Sequence, residues 1–196
     1  MNFGLPGIRA PLNAAASAAN ERELELLRLI AQGNREAFRE LYLAYHRRLA
    51  RFLMRMTFRH DVIDEVINDT LLTVWRKAAA FRGESQASTW IVGIAYRRAL
   101  KALRVTHAVR ALDAEYASPA SDPQSLDEER QWLDRALAEL PLEQRMVLEL
   151  SYLLGHSCEE IASIMQCPVN TVKTRMFHAR EKLRRSLPRL AGVGKP

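Results

Sequence analysis

A capping box at Ser157-Cys158-Glu159-Glu160, followed by a proline break at Gln166-Cys167-Pro168, leaves the stretch from Leu140 to Leu187 little choice of structure. The serine can accept the amide of the third helical residue while Glu160 reaches back to the amide of Ser157, so a helix starts there. Ile161, Ile164 and Met165 give it one apolar face, and Ala162 leaves room for a second helix to cross closely. Proline disfavours the α conformation in the residue before it yet fits a first turn, which predicts a new helix from near Val169 to about Leu187. Val172, Met176, Ala179 and Leu183 form its buried stripe, leaving Lys173, Thr174, Arg175, Phe177, His178, Arg180 and Lys182 outward. Two helices, a tight turn and a basic outer face make a helix-turn-helix whose second helix can enter a DNA major groove. The plainer alternative is a helical hairpin with a solvated basic face. Charge favours the former: residues 168–196 hold eight Lys or Arg against Glu181 alone, while 131–167 hold six acids against two bases.

The chain has 196 residues and a formal charge of +6, room for one medium domain or two small ones and a bias toward a polyanionic partner. The charge is uneven: +6 over 21–104, −4 over 105–130, −4 over 131–167 and +7 over 168–196. Cys158 and Cys167 lack the CxxC spacing of zinc or redox sites and read as reduced, packed thiols, so neither a metal nor a cofactor is expected. No apolar run approaches the ~18 residues that cross a bilayer. Residues 1–20 have no continuous apolar segment of the secretory kind and read as a flexible tail, which together place the protein in the cytoplasm.

Helical periodicity starts near Asn20 or Glu21, with Leu24, Leu27, Ile30 and Ala31, and breaks at Gly33-Asn34. The next helix carries Ala37, Leu41, Ala44, Tyr45, Leu49, Phe52, Leu53 and Met56 on its apolar side, with Phe38 and Tyr42 beside them. Arg47, Arg51, Arg55 and Arg59 recur every four residues on another face, which fits either simple solvation or contact with nucleic acid or a protein partner. A third helix from Asp61 to Ala80 turns Ile63, Ile67, Leu71, Val74 and Ala78 inward. Its Asp61, Asp64, Glu65, Asn68 and Asp69 form an acidic side, read as a solvated or partner-facing surface. After the polar loop Phe81–Ser88, a fourth helix runs to Arg104 with Trp90, Ile94, Arg97, Lys101 and Arg104 along one face. An aromatic followed by cations suits single-stranded nucleic acid, with a base stacked on the ring, although a tryptophan at a helix start also anchors cores. Residues 105–130 turn to Ala, Ser, Pro and acids, an extended linker, and helical periodicity resumes at Trp132. No βαβ pattern, phosphate loop or nucleophile elbow is present. The expected fold is all-α: two small helical domains, 21–104 and 131–187, joined by an acidic linker and followed by a short tail from 188.

DVIDEVINDTLLTVW followed by FRGESQASTWIVGIAYRRAL resembles region 2 of the bacterial sigma-70 family, and LPLEQRMVLELSYLLGHSCEEIASIMQCPVNTVKTRMFHAREKL resembles region 4. With only these two blocks and a linker, residues 21–187 are similar to the extracytoplasmic-function sigma factors. The resemblance implies a dissociable RNA polymerase subunit, not an enzyme, that selects promoters and helps open them. It implies contacts to the duplex −35 element by Lys173, Thr174, Phe177 and His178, with Arg175 and Arg180 on phosphates. It implies capture of a flipped −10 base by the loop Arg82 to Ala87, including Ser85 and Gln86, with Trp90, Tyr96, Arg97 and Arg98 on the adjoining helix. Asp64, Glu65, Asn68 and Asp69 would lie against the clamp helices of the polymerase β′ subunit, and region 4 against the β flap. Sequestration by an anti-sigma factor, soluble or held at the inner membrane, is implied as well. Three other readings remain at this point: an autonomous duplex-binding regulator, a nucleic-acid enzyme for which no constellation is visible, and a sigma-like protein that docks on polymerase without initiating.

Overall fold

Helical spacing becomes helix throughout the residues that the computed structural model describes, 10–57, 59–112 and 128–190, and no strand occurs among them. In chain order these are α1 (Ala10–Ala31), α2 (Arg35–Leu53), α3 (His60–Lys77) with a 3₁₀ turn Ala78–Ala80, and α4 (Ala87–Leu112). There follow α5 (Glu128–Ala138), α6 (Leu142–Leu148) continued by a π turn Glu149–Leu153, α7 (Cys158–Met165) and α8 (Val169–Leu190).

Two expectations about tails and linker need correcting. The segment read as a tail up to residue 20 is helical from Ala10, because Pro11 sits in a first turn that needs no amide and the alanines that follow have the highest helix propensity. α4 likewise continues past Arg104 to Leu112, through residues with neither Gly nor Pro, and α5 starts at Glu128. The middle of the expected linker, 113–127, the first nine residues and those after 190 lie outside the described residues.

The helix boundaries follow local chemistry. Gly33 takes φ +83° to end α1, and the Asn34 side chain accepts the Ala37 amide at 3.0 Å to start α2. Ser157 Oγ accepts the Glu160 amide at 3.2 Å while Glu160 Oε2 accepts the Ser157 amide at 2.8 Å, the capping box read from the sequence. Gln166, at φ +52°, ends α7 in the left-handed region, and Pro168 sits just before α8. The π turn after α6 had no signal in the sequence.

The first lobe buries Leu27 of α1, Leu41, Leu49 and Phe52 of α2, Ile67 and Leu71 of α3 and Ile91 of α4; the second buries Met146, Leu150, Ile161, Val172 and Ala179. Each of the Leu, Ile, Val, Phe and Met side chains among them contributes roughly 1.5–3 kcal/mol by leaving water. The two cores are contiguous, because α4 packs on α3 from one side and on α7 from the other. Its sequence explains this: Ile91, Val92, Ile94, Ala95, Tyr96 and Ala99 are all buried, too many directions for one apolar stripe.

Polar contacts line the same seam. Arg55 reaches Asp134 at 2.5 Å and Glu149 at 3.7 Å, Arg48 donates to the Leu154 carbonyl at 3.4 Å, and the Thr89 hydroxyl donates to Glu160 at 3.0 Å. The expected arginine stripe therefore divides, Arg47 and Arg51 lying on α2 and Arg55 and Arg59 beyond its end. Arg55 serves the second lobe, Arg59 pairs with Asp61, and Arg47 and Arg51 stay exposed.

Candidate nucleic-acid and polymerase interfaces

The outer face of α8 is set by its buried one. With Val172, Met176 and Ala179 turned to the core, Lys173, Thr174, Phe177 and His178 all face solvent. Phe177 is 61% exposed, a large apolar ring with no core to fill, and His178 stands edge-on to it at 5.5 Å. The Thr174 hydroxyl donates to the Asn170 carbonyl at 2.9 Å, and the residue is exposed. Beside this face a shallow groove of about 440 Å³ runs along α8, lined by Gln144, Phe177, His178, Glu181, Lys182 and Arg185.

The other two α8 arginines named from the sequence are tethered. Arg175 is half-buried, paired with Glu143 of α6 and 3.5 Å from Cys167 Sγ, so the expectation that it points outward is corrected. It lies between the buried stripe and the open face, where the α6 carboxylate can reach it. Arg180 donates to the Tyr152 hydroxyl at 2.8 Å with its guanidinium 5.8 Å from that ring. It remains exposed and is held in one orientation.

The second candidate surface lies around the start of α4. Arg82, Gly83, Glu84 and Gln86 form an exposed loop, with Gly83 at φ +70° and Arg82 3.7 Å from Glu84. Ser85 is half-buried and its hydroxyl donates to the Gln86 carbonyl, while Ala87 is fully buried. Trp90 is half-buried, its indole 5.0 Å from Phe81, so one face rests on the protein and part stays open. The two readings of this tryptophan are compatible in one side chain.

Further along α4 the sequence-named residues separate. Arg97 is exposed and lies back over Gly93, where an added Cβ would meet its guanidinium at 3.1 Å; partial burial lowers its pKa. Arg98 is half-buried, paired with Asp69 of α3 and donating to the Thr73 hydroxyl at 2.7 Å. Tyr96 is only 3% exposed. Burial pushes its hydroxyl up to about 12, with Glu143 of the second lobe acting in the same direction. It sits within the seam between the lobes, where α7 packs on α4 and Glu143, Arg175 and Cys167 come near its hydroxyl.

On α3, Asp64, Glu65 and Asn68 are exposed on one face, with Leu72 beside them at 42% exposure. Tyr42 of α2 donates to Asn68 Oδ1 at 3.3 Å. Asp69 is turned to Arg98 and is half-buried.

Residues 41–108 match the family described as Sigma-70 region 2, and residues 130–183 match Sigma-70, region 4. The ECF RNA polymerase sigma-E factor of Escherichia coli strain K12 is 34% identical over 173 residues, covering 81% of this chain and 90% of that protein. Its counterpart in Haemophilus influenzae is 32% identical over 174 residues, covering 81% and 91%. The chain belongs to the sigma-70 family, in its extracytoplasmic-function group. Among solved structures, the sigma factor RpoE in complex with the anti-sigma factor NepR from Bartonella quintana gives a TM-score of 0.63 at 26% identity, over 81% of this chain and 98% of that one. CnrH in complex with the cytosolic domain of CnrY gives 0.63 at 22% identity, over 85% and 97%, a likeness of fold.

In this sigma-70 member, region 4 brings Lys173, Thr174, Phe177 and His178 into one open patch and holds Arg175 back. Region 2 spreads its named residues over three environments: the open loop, the half-covered Trp90, and the covered Tyr96. Sequence reading missed the groups that hold this arrangement, namely Asn20, Glu23, Arg48, Arg55 and Tyr42. The signal available for Arg55 was its place in the four-residue arginine repeat, which fitted solvation as well as contact. Among the described residues, no three His, Cys, Asp or Glu side chains gather as a metal site.

Proposed function

We propose that the chain is a dissociable alternative sigma subunit: it binds core RNA polymerase, reads a −35 element as duplex through α8, and captures a melted −10 element at the start of α4. The observation that carries this reading is the presence on one chain of an open basic recognition helix and, in the other lobe, an exposed loop leading into a half-open tryptophan. Lysine donates to guanine acceptors, threonine and phenylalanine meet thymine methyls, and His178 adds a further ring N–H donor. Arg180, already oriented by Tyr152, suits a phosphate, as does Arg175 once released from Glu143. The half of Trp90 that Phe81 leaves open suits a stacked base, with Arg82, Ser85, Gln86, Arg97 and Arg98 around it. Asp64, Glu65, Asn68 and Leu72 offer the polymerase clamp an acidic surface with an apolar centre, and Asp69 orients Arg98 behind it.

Each lobe alone makes few contacts, and a polymerase that fixes both makes the second one effectively intramolecular. Control by an anti-sigma factor fits the exposed Leu72, and the Bartonella quintana relative is itself in complex with such a factor, NepR. A cytoplasmic location follows from this role, with the inner membrane reached only through a partner; no helix among the described residues is long and apolar enough to cross a membrane.

The test is run-off transcription on genomic fragments with core polymerase, with and without this chain, followed by sequencing of 5′ ends. New starts that appear only with the chain and share paired −35 and −10 motifs support the reading. Duplex shifts by the chain alone, with no new starts, overturn it in favour of an autonomous regulator.

A further inference from the structure

The start of α4 is held from outside its own segment. Its first residue is Ala87, and the flanking Gln86 is not among the short side chains that accept first-turn amides; the Ser85 hydroxyl donates to the Gln86 carbonyl at 3.3 Å. The amide of Ala87 is instead accepted by Asn20 Oδ1 at 3.2 Å, from α1. One turn along α1, Glu23 stands against the backbone of Ser88 and 3.7 Å from Arg48. Ala87 is fully buried and Ser88 nearly so, so neither amide can turn to bulk water if these acceptors are removed. Asn20 lies ahead of both matched sigma-70 segments, 41–108 and 130–183.

We infer that Asn20 is a positioning residue for promoter opening: through a remote cap on Ala87, α1 fixes the start of α4 and, with it, the loop Arg82–Gln86 and Trp90. The inference rests on the −10 role proposed above for that loop. Its physical basis is independent of that role. The loop has one end fixed at Phe81, whose ring rests on Trp90, and the other at Ala87, and between them its side-chain contacts run among its own residues or remain open to solvent. Whatever geometry the loop offers a flipped base is therefore set at these two ends. A fraying first turn of α4 releases one of them and lets Trp90 tilt on Phe81.

The test uses holoenzyme assembled from core polymerase and the full chain carrying Asn20→Ala, Asn20→Asp or the wild-type residue. Opening is followed by a fluorescent adenine analogue in the −10 element. Binding to core polymerase and to a −35 duplex is measured in parallel. Asn20→Ala is expected to open promoters roughly fivefold more slowly, the size of a lost cap, with both binding steps unchanged. Asn20→Asp restores the rate because it keeps the acceptor. Amide exchange on the free chain should quicken at Ala87–Trp90 and not in α8. Wild-type opening with an indifferent Asn20→Ala, an Asn20→Asp as slow as the alanine variant, or unchanged exchange at Ala87 overturns this inference alone. A wild-type holoenzyme that opens no promoter overturns the sigma reading together with it.

Discussion

α8 presents Lys173, Thr174, Phe177 and His178 from a helix whose start and buried stripe are written in the stretch that forms it. α4 presents Arg97, Lys101 and Arg104, while its Tyr96 lies under the second lobe, its Arg98 is drawn to α3, and its first amide is capped from α1. One helix is a self-contained reading head resting on a small core. The other is the centre of the molecule, touched by four elements, with reading residues where packing leaves them room. A surface of the first kind can bind rigidly, as duplex DNA requires. One of the second kind changes its exposed set whenever the elements around it move, which suits a ligand that must itself be opened.

The largest expected effect falls on the seam that covers α4. His156 is buried there, facing Glu160 of α7 and Arg48 of α2, and burial depresses its pKa to about 4. A histidine depressed in the folded state takes up protons preferentially when unfolded, so its stability contribution is complete above about pH 6.5 and falls as pH drops toward 4. The loss is on the order of 2–3 kcal/mol across that window. Glu149, raised by burial, acts in the opposite sense, stabilising as pH falls from its raised value toward 4.5. Urea unfolding from pH 7.5 to 4.5 in a Glu149→Gln background removes one opposing carboxyl, and Glu23, also raised by burial, is common to every variant compared in that background. His156→Gln should flatten the acid limb, and a flat limb with His156 present would sink the idea.

Arg55 is the next probe of the same seam. Its removal leaves Glu149, 7% exposed, with Arg145 as its remaining cationic neighbour and strips Asp134 of its partner. Arg55→Ala should cost roughly 1–3 kcal/mol, the penalty of a buried charged group left short of partners. Arg55→Ala/Glu149→Gln should cost less than the sum of the single variants. Additive costs would mean that the two lobes do not communicate through this cluster. Quickened amide exchange should accompany the loss in α4 as well as α7, because α4 belongs to both lobes.

The contrast also explains what could be read from the sequence. Ser157-Cys158-Glu159-Glu160, Gln166 and the Val172–Met176–Ala179 stripe are local signals, and each became the structure it predicted. The apolar sides of α2 and α3 were legible for the same reason: period and packing agree along Leu41, Tyr45, Leu49 and Ile63, Ile67, Leu71. What escaped was non-local. Asn20 looked like the end of a tail because its partner is 67 positions away. Tyr96 looked like part of a reading face because the sequence does not say that α7 lies over it. Arg175 looked outward because its partner, Glu143, belongs to another helix.

On the open side of the comparison, Lys173→Ala should cost ~1–3 kcal/mol at one base pair of the −35 element if the lysine meets a base edge. The measurement is holoenzyme affinity for a panel of single-base −35 variants at fixed salt. A uniform loss across the panel, with a shallower salt dependence, places Lys173 on a phosphate instead. Either way the folded chain should melt as the wild type does, because Lys173 is exposed. A shift in melting would contradict the separation of reading from packing claimed for α8.

The smallest effect compares a local cap with a remote one. Ser157→Ala removes the acceptor for the Glu160 amide and should lower stability by about 1 kcal/mol in urea melts, with Ser157→Asp close to wild type. Because the Glu160 carboxylate accepts from the Ser157 amide and from Thr89 across the seam, a looser first turn of α7 in the alanine variant is felt at that contact. Exchange should therefore quicken first at Cys158–Ile161 and next at Thr89, while Lys173–Arg180 keep their protection. If α8 loosens together with α7, the recognition helix depends on its neighbour's cap, and the self-contained character assigned to it is wrong.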